Sequence, residues 1–269
     1  MILSLDIGNT QIHGGVFTND FKKVCQFRKN TNRNSSSDET GVFLLNVLRE
    51  NNVNPVSITD ITLCTVVPEA LYSVTNACLK YLRKRPFVLK AGVKTGLKIK
   101  YRNPLEVGSD RISNAVAARH LWPNDNLIVI DFGTATTFCA IKKDATYLGG
   151  VIIPGLKISM GSLESNTAKL PTVEIVKPES TLGQSTVESI QSGLYWSHVG
   201  AARQIIDNLK KESFKGEPVK VIATGGFTHL FSDIGLYDEH EPDLVLKGLL
   251  LTLNKNQINK SKESKEASL

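Results

Sequence analysis

One pattern occurs twice in this chain. Leu5-Asp6-Ile7-Gly8-Asn9-Thr10 closes an apolar run that starts at Ile2, and Ile130-Asp131-Phe132-Gly133-Thr134-Ala135 closes another that starts at Leu127. In each copy a short apolar strand ends in a carboxylate and a glycine turns the chain. A second apolar run then returns, Ile12 to Phe17 in the first copy and Thr136 to Ile141 in the second. The two aspartates are 125 residues apart, close to half of the 269-residue chain. Strand, acidic turn and strand repeated at that spacing predict two related domains.

The segments between the copies alternate strand and helix signals, which point to an α/β fold. Val24 to Arg28 predicts a third strand. Ser36 and Glu39 form a capping-box pattern ahead of Val42, Leu44, Leu45 and Leu48, so a helix follows. Ile61 to Val67 predicts a strand, and Pro68 suits the first turn of a helix running to about Arg83. The stretch from Lys90 to Val107 has little periodicity and predicts a long functional loop. Ser109 to Leu121 and Thr186 to Leu209 predict helices, Val219 to Ala223 a buried strand, and Asp243 to Leu253 a last apolar helix. The polar break at Asn124-Asp125-Asn126 sets the expected boundary: a first domain over 1–124, a second over 125–253, and a disordered polar tail over 254–269.

Composition narrows the function classes. A 41% hydrophobic and 22% charged chain is ordinary for a soluble globular protein. No run approaches 18 apolar residues and Asp6 interrupts the first one, so no membrane span or signal peptide is expected, and the expected compartment is the cytoplasm. Cys25, Cys64, Cys78 and Cys139 form no C-x-x-C pair and lie in apolar stretches, as buried thiols in a reducing compartment do. The net charge is +6, and Lys80 to Arg102 holds nine Lys or Arg and no acid. That stretch reads as a solvated basic face or as a field for anionic small molecules; without interleaved aromatics it does not read as a nucleic-acid site. His13, His120, His198, His229 and His240 show no metal-ligand spacing.

Three constellations can carry chemistry. Asp6-Ile7-Gly8-Asn9-Thr10 offers backbone N–H groups and a hydroxyl to phosphate, with Asp6 able to orient Mg²⁺ through water; an ordinary hairpin turn is the plainer reading. The copy at Asp131-Phe132-Gly133-Thr134, with Thr224-Gly225-Gly226 after a later strand, favours a nucleotide cleft, and no Walker A sequence is present. Gly108-Ser109-Asp110-Arg111 opens a helix. Asp110 could accept the proton of a substrate hydroxyl and Arg111 could hold a carboxylate or phosphate, or the pair could simply cap the helix. Gly149-Gly150 and Pro154-Gly155 flank an apolar run that either lines the cleft or makes a structural turn.

In order and spacing these motifs resemble the type III pantothenate kinase family over residues 1 to about 253: Asp6-x-Gly8-Asn9-Thr10, Tyr101 and Pro104 before Gly108-x-Asp110-Arg111, Asp131-x-Gly133-Thr134-Ala135-x-Thr137, Gly149-Gly150, Pro154-Gly155 and Thr224-Gly225-Gly226. The resemblance implies the acetate and sugar kinase/Hsp70/actin-like fold, two duplicated ribonuclease-H-like domains with the active site between them. It implies transfer of the ATP γ-phosphate to the 4′-hydroxyl of pantothenate, the first step toward coenzyme A, by a homodimer that uses Mg²⁺ and a monovalent cation, K⁺ or NH₄⁺. Asp6, Ile7, Gly8, Asn9, Thr10, Gln11, Ile12 and His13 match the family's first phosphate loop, and Thr134 and Gly225 match further ATP contacts. Tyr101, Gly108, Ser109, Asp110, Arg111 and Thr186 match the pantothenate site, with Asp110 at the place of the catalytic base and Asp131 beside the monovalent cation. His13 departs from the pattern, since many members carry Lys or an apolar residue there; a histidine supplies less charge at pH 7. Two rivals remain: a phosphohydrolase of the same fold, and a non-catalytic nucleotide-binding regulator.

Overall fold

The computed structural model describes residues 1–266. In chain order its main elements begin with β1 (Ile2–Ile7), β2 (Gln11–Phe17), β3 (Lys23–Asn30), α1 (Ser37–Glu50), β4 (Asp60–Thr65), α2 (Pro68–Leu82), β5 (Phe87–Val88), β6 (Lys98–Ile99) and α3 (Ser109–Leu121). They continue with β7 (Asn126–Phe132), β8 (Ala135–Ile141), β9 (Thr146–Pro154), α4 (Leu156–Ser165), α5 (Thr186–Phe214), β10 (Val219–Thr224), β11 (Glu239–His240) and α6 (Leu244–Glu266). The chain forms two compact units. The first holds Met1–Gly96, Asn103–Ala117 and the chain from Asp243; the second holds Leu97–Arg102 and Ala118–Pro242.

The repeat seen in the sequence is a repeat of topology. The first unit's sheet runs β3-β2-β1-β4-β5, with β1 antiparallel to β2, β2 antiparallel to β3, and β4 parallel to both β1 and β5. The second unit's sheet contains β9-β8-β7-β10-β11 with the same directions throughout, and β6 adds one strand beside β9. Asp6 and Asp131 therefore sit at corresponding places. Each lies on the strand that pairs antiparallel with its hairpin partner on one side and parallel with a later strand on the other.

Alternation along the strands sorts the layers of the first unit. Leu3, Leu5 and Ile7 of β1 pack with Ile61 and Leu63 of β4 against Leu44 and Leu48 of α1 and Val74 and Cys78 of α2. Local chemistry starts both helices. Ser36 and Glu39 make the reciprocal capping box of α1, and Pro68 opens α2, which Arg83 ends in the left-handed conformation. The opposite face carries Ser4 and Thr62, whose hydroxyls donate to the carbonyls of Leu246 and Leu249 on α6. Helices α6 and α3 meet at Gly248 and Ser113, where the Ser113 hydroxyl donates to Val245 O at 2.7 Å. In the second unit Ile128, Ile130, Phe132 and Phe138 pack against Leu194, Tyr195 and Val199 of α5.

Several expectations are corrected. The polar segment expected to be disordered after Leu253 continues α6 to Glu266; its four Lys and two Glu favour a helix, and it holds no glycine or proline to stop one. The last three residues of that segment, 267–269, lie outside the described residues. A linear division at 124/125 differs from the packing, since α6 lies on β1 and β4 and so belongs with the first unit. The loop expected over Lys90 to Val107 contains β6 and a short 3₁₀ turn at Pro104–Glu106. Cys64, Cys78 and Cys139 are buried free thiols, and Cys25 is half-buried.

Candidate active site

In the first unit two carboxylates converge on one buried thiol. The β1–β2 hairpin closes through Gly8 N–H donating to Gln11 O at 3.0 Å. A Cβ at Gly8 would come within 3.1 Å of that same oxygen, a tight contact that glycine avoids. Thr31 holds the turn from the side: its hydroxyl donates to Gly8 O at 2.7 Å and its N–H to Thr10 O at 2.9 Å. Arg33 donates to Asn9 Oδ1 at 3.3 Å and brings a positive charge to the exposed tip. Ile7 and Ile12 turn their side chains into the core, leaving only backbone groups for a ligand. His13 is buried too. Its Nε2 lies 2.6 Å from Gln26 Nε2 and 3.9 Å from Asp243 Oδ1, and burial, with Arg28 and Lys23 nearby, lowers its pKa to about 4. It is neutral at pH 7.

Asp110 stands in the first turn of α3. The Ser109 hydroxyl donates to Thr65 O at 3.0 Å, which ties the start of α3 to the end of β4. The Arg111 N–H donates to Asp110 Oδ1 at 2.8 Å. A Cβ at Gly108 would fall 2.4 Å from Asp110 Oδ1, so a larger residue there would displace this carboxylate. Burial raises the Asp110 pKa above the ordinary carboxylate value, and it outweighs the Arg111 N–H and the Arg111 charge, which act the other way. Arg111 itself is only 6% exposed, so its guanidinium acts from inside the fold. Cys64 is close enough for both charges to act on its thiol, and its Sγ donates to Asp6 Oδ1 at 3.2 Å.

The second unit frames Asp131 with glycines. A Cβ at Gly225 would lie 2.5 Å from Asp131 Oδ1 and one at Gly133 would lie 3.2 Å from it, so both positions leave the carboxylate clear space. Gly225 has a φ of +96°, and its turn docks through Phe227 N–H donating to Phe132 O at 3.2 Å. Gly155 N–H donates to Thr134 O at 3.2 Å, and a Cβ at Gly155 would overlap the Gly133 and Thr134 carbonyls. The Tyr101 ring lies over Gly149 of β9, 3.4 Å from where a Cβ would be. Thr186 is placed elsewhere in this unit. It lines a cavity of about 840 Å³ with Gly183, Gln184, Ser189 and Gly193.

The structure thus gathers Asp6, the Gly8–Thr10 turn and Gly108 to Arg111 in one unit, and Tyr101, Asp131, Thr134 and Gly225 in the other. Thr31, Arg33 and Cys64 escaped the sequence reading. A polar Thr-Asn-Arg run directly after β3 was the available sign for the first two. The carboxylates suit a hydrated Mg²⁺, an ion that keeps several waters and takes one or two carboxylates plus phosphate oxygens. Among the described residues no cluster of three or more His, Cys, Asp or Glu could hold a metal by itself.

Two copies of one mixed sheet, each with an acidic residue at the end of its central strand, define the acetate and sugar kinase/Hsp70/actin-like class. A solved structure with the same fold is the activator of the 2-hydroxyisocaproyl-CoA dehydratase from Clostridium difficile with bound ADPNP, with a TM-score of 0.53, 13% identity and 97% of each chain covered. Within that class the family is specific. The family model for type III pantothenate kinase matches residues 2–208. A type III pantothenate kinase of Legionella pneumophila (strain Corby) is 56% identical over 256 residues, which covers 95% of this chain and 99% of the relative. Type III pantothenate kinase 1 of Francisella tularensis subsp. holarctica (strain OSU18) is 45% identical over 257 residues, covering 96% and 100%. The chain belongs to the type III pantothenate kinase family.

Proposed function

We propose that this kinase transfers the γ-phosphoryl group of ATP to the 4′-hydroxyl of pantothenate, the first step toward coenzyme A. The observation that carries the reading is Asp110: a half-buried carboxylate of raised pKa in the first turn of a helix whose start is tied to the end of β4. Burial makes Asp110 a better proton acceptor than a solvated carboxylate. It orients the primary hydroxyl and takes its proton as the oxygen attacks phosphorus and ADP leaves. The Gly8–Thr10 turn, Thr134 and Gly225 wrap the triphosphate. Tyr101, Gly108, Ser109, Arg111 and Thr186 hold pantothenate. Most of the rate gain comes from positioning and charge stabilisation.

Asp6 would hold a Mg²⁺ ion through water, and Asp131 would hold K⁺ or NH₄⁺; bound there, the two cations supply positive charge against the phosphates. The two units are two copies of one actin-like domain, with α6 returning to the first. The exposed apolar side chains Ile152, Ile158 and Val187 of the second unit favour a homodimer. No helix among the described residues is long and apolar enough to cross a membrane, which agrees with work on water-soluble substrates in the cytoplasm.

The test measures ADP release by the purified chain with ATP, Mg²⁺ and K⁺, with and without pantothenate. Release that needs pantothenate is the expected result, and Asp110→Asn lowers it by about a thousandfold or more while the fold stays intact. ADP release that ignores pantothenate overturns the assignment in favour of a phosphohydrolase. Wild-type turnover in Asp110→Asn removes Asp110 as the base.

A further inference from the structure

Cys64 has no part in the chemistry described above, yet it lies at its centre. It is fully buried on β4, in parallel register with Asp6 of β1, so both side chains leave the sheet on the same face, toward α3 and α6. Its thiol donates to Asp6 Oδ1 at 3.2 Å. Burial raises its pKa well above the ordinary thiol value, and the charges of Asp6 and Asp110 add to that effect. Cys78, a core thiol on α2, is pushed up to about 12 by burial, with no carboxylate among the causes.

The second unit supplies an independent observation. Its strand β10 occupies the place of β4, and the residue in register with Asp131 is Thr224, buried and again small with a hydrogen on its heteroatom. Twice the fold sets such a side chain beside the acid that ends the central strand.

We propose that Cys64 is a positioning residue for phosphoryl transfer, its S–H helping to fix the orientation of the Asp6 carboxylate. The proposal rests on the kinase reading above. With the donor removed, Oδ1 of Asp6 loses one hydrogen-bond partner inside the fold. Valine matches the thiol in size without donating; serine donates.

The experiment uses the full chain with Cys64→Val, Cys64→Ser and, as a control for the same change elsewhere in the core, Cys78→Val. Cys64→Val is expected to melt within a few degrees of the control. Its kcat falls about tenfold or more, its KM for pantothenate stays within about twofold, and its affinity for Mg-ADP by calorimetry drops. Cys64→Ser stays within about threefold of wild type in kcat. A readout apart from turnover is the infrared S–H stretch assigned to Cys64 by its absence in Cys64→Ser. It lies low, as for a thiol bonded to a carboxylate, and moves in Asp6→Asn. Wild-type kcat in Cys64→Val, loss in Cys64→Ser as deep as in Cys64→Val, or a band that ignores Asp6→Asn overturns the proposal. If Cys64→Val does not fold, Cys64→Ala and the infrared arm decide. A wild-type chain that does not phosphorylate pantothenate defeats the kinase reading instead, and the infrared band still decides the contact.

Discussion

The crossing of α3 and α6 allows a single methyl group to test how tightly Asp110 is held. In Gly248→Ala the new Cβ would lie 1.9 Å from Ser113 O and 2.6 Å from both the Ser113 carbonyl carbon and its Oγ. An ordinary carbon–oxygen contact is about 3.3 Å or more, so the helices must part by about 1.4 Å. Two effects compete. Alanine favours the helix over glycine by about 1 kcal/mol. Overpacking costs about 1–3 kcal/mol, and stretching the buried Ser113 to Val245 hydrogen bond adds about 1 kcal/mol. The net is a loss of about 1–3 kcal/mol. Gly200, in the middle of α5, has nothing within 4 Å of its would-be Cβ, so Gly200→Ala keeps only the favourable term and gains up to about 1 kcal/mol. Urea unfolding midpoints at unchanged m-value read both shifts. Because Ser113 is one turn beyond Asp110, Gly248→Ala also lowers kcat. Equal or greater stability in Gly248→Ala, or a matching loss in Gly200→Ala, would refute the packing argument.

Two further outcomes follow from the geometry. His13 has a folded pKa of about 4 against an ordinary 6.5, so between those values the unfolded chain binds a proton that the folded chain refuses. Stability is full above pH 6.5 and falls by about 3 kcal/mol as the pH drops through that window; His13→Gln should remove this part of the slope in urea titrations across it. Gly225→Ala puts a Cβ at a φ of +96° and 2.5 Å from Asp131 Oδ1, which should weaken calorimetric ADP binding about tenfold or more, and unchanged affinity would separate Asp131 from the nucleotide.

The duplicated turn was readable in the sequence because its parts are local: a run of apolar residues, one acid and one glycine within a few positions. The same holds for the Ser36–Glu39 box and for Pro68, whose roles depend on near neighbours. Cys64 read as an apolar filler because the group that gives it meaning lies 58 positions away and meets it only through strand pairing. Arg33 was silent for the same reason, since its partner Asn9 belongs to another strand pair. His13 drew attention as a charge, and the fold makes it a buried neutral ring. The length of α6 was missed because low hydrophobicity says little about backbone form, and no glycine or proline follows Leu253 to end the helix before Glu266.

The return of α6 to the first sheet has a consequence for biosynthesis. Strands β1 and β4 leave the ribosome early, yet the hydroxyls of Ser4 and Thr62 meet their acceptors on a helix translated last. The N-terminal half must therefore wait, one sheet face uncovered, while the whole intervening unit is made. Stop codons or frameshifts between residues 243 and 249 should yield insoluble product rather than a shortened enzyme, and ribosome-bound chaperones have their longest exposure to this chain before Leu244 emerges.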